Sequence, residues 1–61
     1  MKMQKAECYN NIGFLYEGMK EYSKSLSYFE RALDIWQHSL PDSDPHLKSV
    51  KESITFIKKK L

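Results

Sequence analysis

Residues Ala6–Trp36, AECYNNIGFLYEGMKEYSKSLSYFERALDIW, decide the fold. They read as two amphipathic helices joined by a tight turn. At 100° per residue, Cys8, Tyr9, Ile12, Leu15, Tyr16 and Met19 share one broad apolar stripe of the first helix. Met3, Glu7, Asn10, Phe14 and Glu17 fall on the opposite side. The turn is expected at Met19-Lys20-Glu21, after Gly18 has weakened the last turn of the helix. The second helix carries apolar residues at 22, 26, 29, 33, 36 and 40, in steps of three and four. Glu30, Asp34, Lys20, Lys24 and Arg31 read as its wet face. Small residues stand where the two helices have to touch, at Gly13, Ser25 and Ala32, flanked by Ile12, Leu15, Tyr16, Phe29 and Leu33.

Working outward, Leu40-Pro41-Asp42-Ser43-Asp44-Pro45 is a stop followed by a start. Pro41 disfavours helical geometry in Leu40. Asp44 is a good N-cap and Pro45 is pre-set for the first helical position. The expected elements are helix A over about 3–19, helix B over about 22–40, a linker at 41–44 and a third helix over 45–60. The apolar stripe of the third is Leu47, Val50, Ile54, Ile57 and Leu61. At an offset of 42 residues, Cys8, Ile12 and Leu15 fall on Val50, Ile54 and Ile57. The third helix therefore repeats the apolar pattern of the first. Its other positions change character: Tyr9 becomes Lys51, Gly13 becomes Thr55 and Tyr16 becomes Lys58. One packing face kept and the others turned basic is the pattern of a solvated end to a stack, a capping helix.

With 61 residues the chain holds one small domain of marginal stability. A charged fraction of 30% suits a helical protein in water rather than disorder. The net charge of +2 is too weak to imply nucleic acid or an anionic membrane as partner. No apolar run approaches the ~20 residues of a membrane span. A single cysteine forms no internal disulfide, which points to a reducing, cytoplasmic setting. Helix-like sequence begins almost at once, as in a piece excised from, or designed after, a longer protein.

The spacing of Tyr9, Ile12, Gly13 and Tyr16, followed by Ser25, Phe29 and Ala32, resembles the tetratricopeptide repeat, a helix–turn–helix unit of 34 residues. The phrase NNIGFLYEGMKEYSKSLSYFERALDIWQHSLPDSDP is similar, more narrowly, to repeats of the kinesin light chain type, with an extended second helix ending in Leu-Pro. The resemblance covers Ala6 to about Leu47, with the rest as a degenerate next helix. It departs from the family at Ser25, where alanine is usual, and at Lys20, where the turn glycine is usual. A left-handed backbone strains lysine, so a locally different turn is expected there.

The resemblance implies an all-α fold, one helical hairpin plus a capping helix lying in the groove between the first two. It implies a non-catalytic protein–protein interaction module, a fragment of a scaffold or adaptor array. It also implies a concave face for an extended peptide, at Glu7, Asn10, Asn11, Phe14 and Glu17. The helical wheel places Phe14 far from the packing stripe independently. Only Asn11 matches the lysine, arginine and asparagine clamps with which some relatives hold a peptide carboxylate; two acids beside an aromatic suit a basic and apolar ligand instead. The structural packing set is Tyr9, Ile12, Gly13, Tyr16, Ser25, Phe29, Ala32 and Ile54, with Trp36 packed beside it.

Cys8, within the stripe, reads as a buried, inert thiol. His38 and His46, eight residues apart across the linker, match no zinc spacing and read as surface histidines. Three lysines at 58–60 without interleaved aromatics meet the negative end of a helix dipole rather than nucleic acid. No phosphate loop, nucleophile elbow or metal-binding helix is present. The expectation is therefore no cofactor, no metal, no catalytic site, and a protein or peptide as partner. Part of the first helix's stripe would face a preceding repeat, so its exposure is expected to drive a homo-oligomer, as a dimer or helix swap. The alternative is a single-repeat fragment with no ligand, whose activity is folding and self-association.

Overall fold

The computed structural model describes residues 2–61, with side chains from Gln4 onward; the placement of Met3 on the far side of the first helix lies outside them. Three helices follow in order: α1 (Lys2–Gly18), α2 (Tyr22–Ser39) and α3 (Pro45–Lys60). Among the described residues there is no strand. The Cα extents are 30 × 21 × 13 Å, and α2 packs against both α1 and α3, which hardly meet. Each helix can therefore be covered on some sides only.

The α1–α2 seam is built on small residues. Gly13 and Ser25 are buried, and Phe29 and Ala32 are fully enclosed. A Cβ at Gly13 would stand 2.9 Å from two Phe29 ring carbons, so the phenyl ring fills the notch that glycine leaves. The Ser25 hydroxyl, in the place of the family's alanine, donates to the Gly13 carbonyl at 2.7 Å. It is thereby satisfied in the core, where an orphaned hydroxyl would cost ~1–3 kcal/mol. Ala6, which periodicity did not single out, is also fully buried here.

Half of the expected α1 stripe does not pack. Tyr9, Ile12 and Tyr16 are half-buried, but Leu15 is 62% and Met19 53% exposed. Cys8 is exposed as well, contrary to the buried thiol expected of it. The cause is angular: α2 covers the Ala6–Tyr9–Gly13 side, and nothing covers the flank that carries Cys8, Leu15 and Met19.

The turn holds the second correction. It is not rearranged to spare Lys20, which adopts a left-handed conformation with φ of 62°. The hydrogen bonds explain why. Glu21 N–H reaches the Tyr16 carbonyl at 2.9 Å and Lys20 N–H the Glu17 carbonyl at 3.0 Å. This is the Schellman pattern, which caps a helix only if its first residue beyond the end is left-handed. α2 then starts without a side-chain cap.

α2 ends where Leu40 turns extended (φ −121°, ψ 152°) ahead of Pro41. Asp44 N–H returns to the Pro41 carbonyl at 2.9 Å, closing the linker. The Asp44 carboxylate then caps α3 by accepting from His46 N–H at 2.9 Å, with Pro45 in the first helical turn. α3 buries Leu47, Val50, Ile54 and Ile57, chiefly against α2, and touches α1 only slightly. It thus leans on α2 rather than lying evenly between both helices. Trp36, 3% exposed, joins the end of α2 to the start of α3, its ring 5.1 Å from that of His46. Leu61, expected to extend the stripe, lies past the end of α3 and is exposed.

Candidate functional site

The α1 face expected to bind peptide divides in two. Phe14 and Glu17, at its C-terminal end, line a cleft of about 240 Å³ with Glu52, Ser53 and Phe56 of α3. Glu7, Asn10 and Asn11 lie outside that cleft, one to two turns back along α1. Glu7 and Asn11 are exposed and Asn10 is half-buried.

Phe14 is held from below and open above. Its ring meets Phe29 edge-to-face, with centroids 5.1 Å apart and planes at 84°. It nevertheless stays 46% exposed, and so does Phe56 across the cleft. The floor of the cleft is thus fastened to the core through Phe29. Glu17 is half-buried and Glu52 exposed, so two carboxylates stand beside the two rings. Phe56 already attracts one cation, the Lys60 ammonium 5.3 Å from its ring centroid. The arrangement can seat a cationic and apolar group.

Phe56 and Glu52 were missed by the sequence reading. The signal was the 42-residue offset, which carries Phe14 onto Phe56 and Asn10 onto Glu52.

On the opposite side of the hairpin, aromatic rings run across the seam. Tyr28 stacks on Tyr16 at 5.6 Å with planes 15° apart, and lies 6.0 Å from Tyr9. Lys24 sits over the Tyr16 ring and Arg31 over that of Tyr9, at 5.7 and 5.8 Å. These contacts line the hairpin.

The histidines are tied locally. His38 Nδ1 lies 2.7 Å from the Asp34 carbonyl, and His46 Nδ1 2.9 Å from Asp44 Oδ1. The His46 backbone N–H, and after it the His46 ring, hold the Asp44 carboxyl below its ordinary value of 3.8. Among the described residues no group of three or more His, Cys, Asp and Glu side chains is placed to hold a metal, and no helix is long and apolar enough to cross a membrane.

Comparison with curated proteins and with solved structures finds no match. A family profile described as the tetratricopeptide repeat matches residues 6–39, more than half of the chain. Those residues contain the whole α1–α2 hairpin from Ala6 onward, with Gly13, Ser25, Phe29 and Ala32 at its crossing. The chain belongs to the tetratricopeptide repeat family, whose repeats are protein–protein interaction modules and typically non-catalytic.

Proposed function

We propose that the chain is a kinesin light chain-like scaffold repeat, working in the cytoplasm, that holds an extended peptide along α1 and into the α1–α3 cleft. The observation that carries this reading is the meeting of Phe14 and Glu17 with Phe56 and Glu52 in one open cleft. Glu7, Asn10 and Asn11 extend the track along α1, the asparagine amides pairing with a peptide backbone. The ligand is a peptide with a lysine or arginine next to an apolar side chain. The cation lies against a ring and a carboxylate, and the apolar neighbour covers the other ring.

The test is fluorescence anisotropy with labelled peptides alternating Lys or Arg with Leu, against an acidic panel. Saturable binding of the basic panel, weakened by Phe14→Ala and by Glu17→Gln but not by Gln37→Ala at an exposed position near the end of α2, supports the reading. Glu17→Gln keeps the fold when loss of the Phe14–Phe29 contact does not. Equal binding of both panels, or none, rejects it.

The uncovered flank of α1 carries a second reading. Cys8, Leu15 and Met19 form an exposed apolar strip beside half-buried Ile12. A second copy covering it makes a homodimer, the state in which a single repeat without ligand would persist. Sedimentation across a wide concentration range checks this: a mass that rises with concentration, and stays monomeric in Leu15→Lys, supports it. A constant monomer mass rejects it.

A further inference from the structure

The outward side of α3 carries a groove of about 400 Å³ lined by Lys48, Lys51, Glu52, Thr55, Phe56 and Lys59. Its position in the fold is defined by the internal repeat. Subtracting 42 takes Lys48, Lys51 and Thr55 to Ala6, Tyr9 and Gly13. On α1 those three residues form the seat of α2: Ala6 is fully buried, Gly13 receives the Phe29 ring and Tyr9 meets Tyr28. The groove on α3 is therefore the same seat one unit later, without a helix in it and with lysines where the first seat has alanine and tyrosine.

We infer that this seat docks an acidic amphipathic helix supplied by a partner polypeptide. Two observations fix the occupant. The α1–α2 pair gives its shape, since the same helical face at the same offset accepts a helix running along it. The charges give its chemistry. Lys48, Lys51, Lys58 and Lys59 stand on or beside the groove, with Glu52 as the acid among them. An apolar helix would strand those ammonium groups, whereas carboxylates pair with them and leave the lysine stems to pack.

The template sharpens the partner further. Opposite Gly13 sits an aromatic ring; opposite Thr55 a ring has no room, because the side chain that glycine lacks is present and its hydroxyl is tied to the Lys51 carbonyl at 3.0 Å. The partner therefore carries alanine, serine or glycine at that point. Around it, the α2 residues facing Tyr9 and Tyr16 are Lys24, Tyr28 and Arg31. Their counterparts, facing Lys51 and Lys58, are carboxylates. A second copy of this chain is a poor occupant, because its own α2 brings Lys24 and Arg31 to the lysines.

The probe is a labelled peptide with the α2 sequence Tyr22–Ser39 carrying Lys24→Glu, Tyr28→Glu, Phe29→Ala and Arg31→Glu. It is titrated with the full chain and followed by anisotropy and helical circular dichroism. Saturable binding with a gain of helicity is expected, weakened about tenfold by Lys51→Glu with Lys58→Glu and by raised salt. A Lys51→Gln, Lys58→Gln variant gives an intermediate loss and guards against misfolding of the reversed one. Binding indifferent to both lysine variants overturns the inference. Tighter binding of a 16-residue oligothymidine than of the peptide also overturns it and makes nucleic acid the occupant.

Discussion

α2 has two seams, and they are made by different means. Against α1 it fits a ring into a notch: Phe29 on Gly13, a hydroxyl of Ser25 on the Gly13 carbonyl, and Ala32 enclosed beside them. Against α3 it meets a ridge of branched aliphatics, Leu47, Val50, Ile54 and Ile57, brought in by a proline-bounded linker and a capped helix start. The first seam depends on shape and the second on buried area. A shape-dependent seam fails when atoms are added. An area-dependent one fails in proportion to atoms removed.

Phe29 belongs to the first seam and to the core as a whole, and its loss tests both. Phe29→Ala is expected to cost ~3–5 kcal/mol. In a chain this small that approaches the entire stability, so loss of helical circular dichroism at room temperature is the expected outcome. A cooperative melt close to that of the parent chain would show that the ring does not hold the two seams together.

The contrast itself is tested by one methyl group on each side. Gly13→Ala improves helix propensity by up to ~1 kcal/mol, yet its Cβ would stand 2.9 Å from the ring of fully buried Phe29, an overpacking that costs ~1–3 kcal/mol. A net loss is expected. Ile54→Val removes a methyl from the other seam and should cost ~0.5–1.5 kcal/mol. Urea denaturation of both ranks them. If Gly13→Ala proves stabilising, propensity has won and the notch is looser than the 2.9 Å approach implies.

These seams also show which parts of the molecule were legible in the sequence. The hairpin was legible because its signal is steric: Gly13, Ser25, Phe29 and Ala32 alternate small and large in the order a close crossing needs. The all-α fold followed from the period of apolar residues. What periodicity does not encode is the identity of the neighbour. It merged two sides of α1 into one stripe, so Cys8, Leu15 and Met19 were grouped with Tyr9 and Tyr16, and which part of the stripe stays exposed was not legible. α2 reaches one side only. Ala6 was passed over because a small residue adds little to an apolar pattern, although a tight seam selects for it. On the candidate site, Phe14 and Glu17 were legible from the wheel. Phe56 and Glu52 were not, because their relation to α1 passes through the repeat and not through their own helix.

The turn between the seams gives the next prediction. Lys20 holds a left-handed backbone that costs an L-residue ~1–2 kcal/mol. Lys20→Gly relieves this but adds freedom to the unfolded chain, worth ~0.4–1 kcal/mol. A net stabilisation of up to ~1 kcal/mol is expected, seen as a rise in melting temperature of a few degrees. A fall would mean that the Lys20 side chain contributes more than its backbone costs.

The smallest effect belongs to the linker and separates the seams by pH. The Asp44 carboxyl titrates below its ordinary 3.8 because it accepts from His46, first from the backbone N–H and then from the ring. Its charged form is thus favoured by folding. The stability this adds is fully present above the unfolded value and is lost as pH falls through the lower, folded value. The loss falls on the start of α3, since the Gly13–Phe29–Ala32 crossing contains no ionisable group. Asp44→Asn retains a capping oxygen and removes the titration. Thermal melts of both chains from pH 5 down to the acid limit are therefore expected to converge: the parent loses its margin over the variant below pH 3.8, against a background from the other carboxylates that both share. Parallel curves would show that the cap is bound equally well by the neutral acid, and that the second seam owes nothing to the charge.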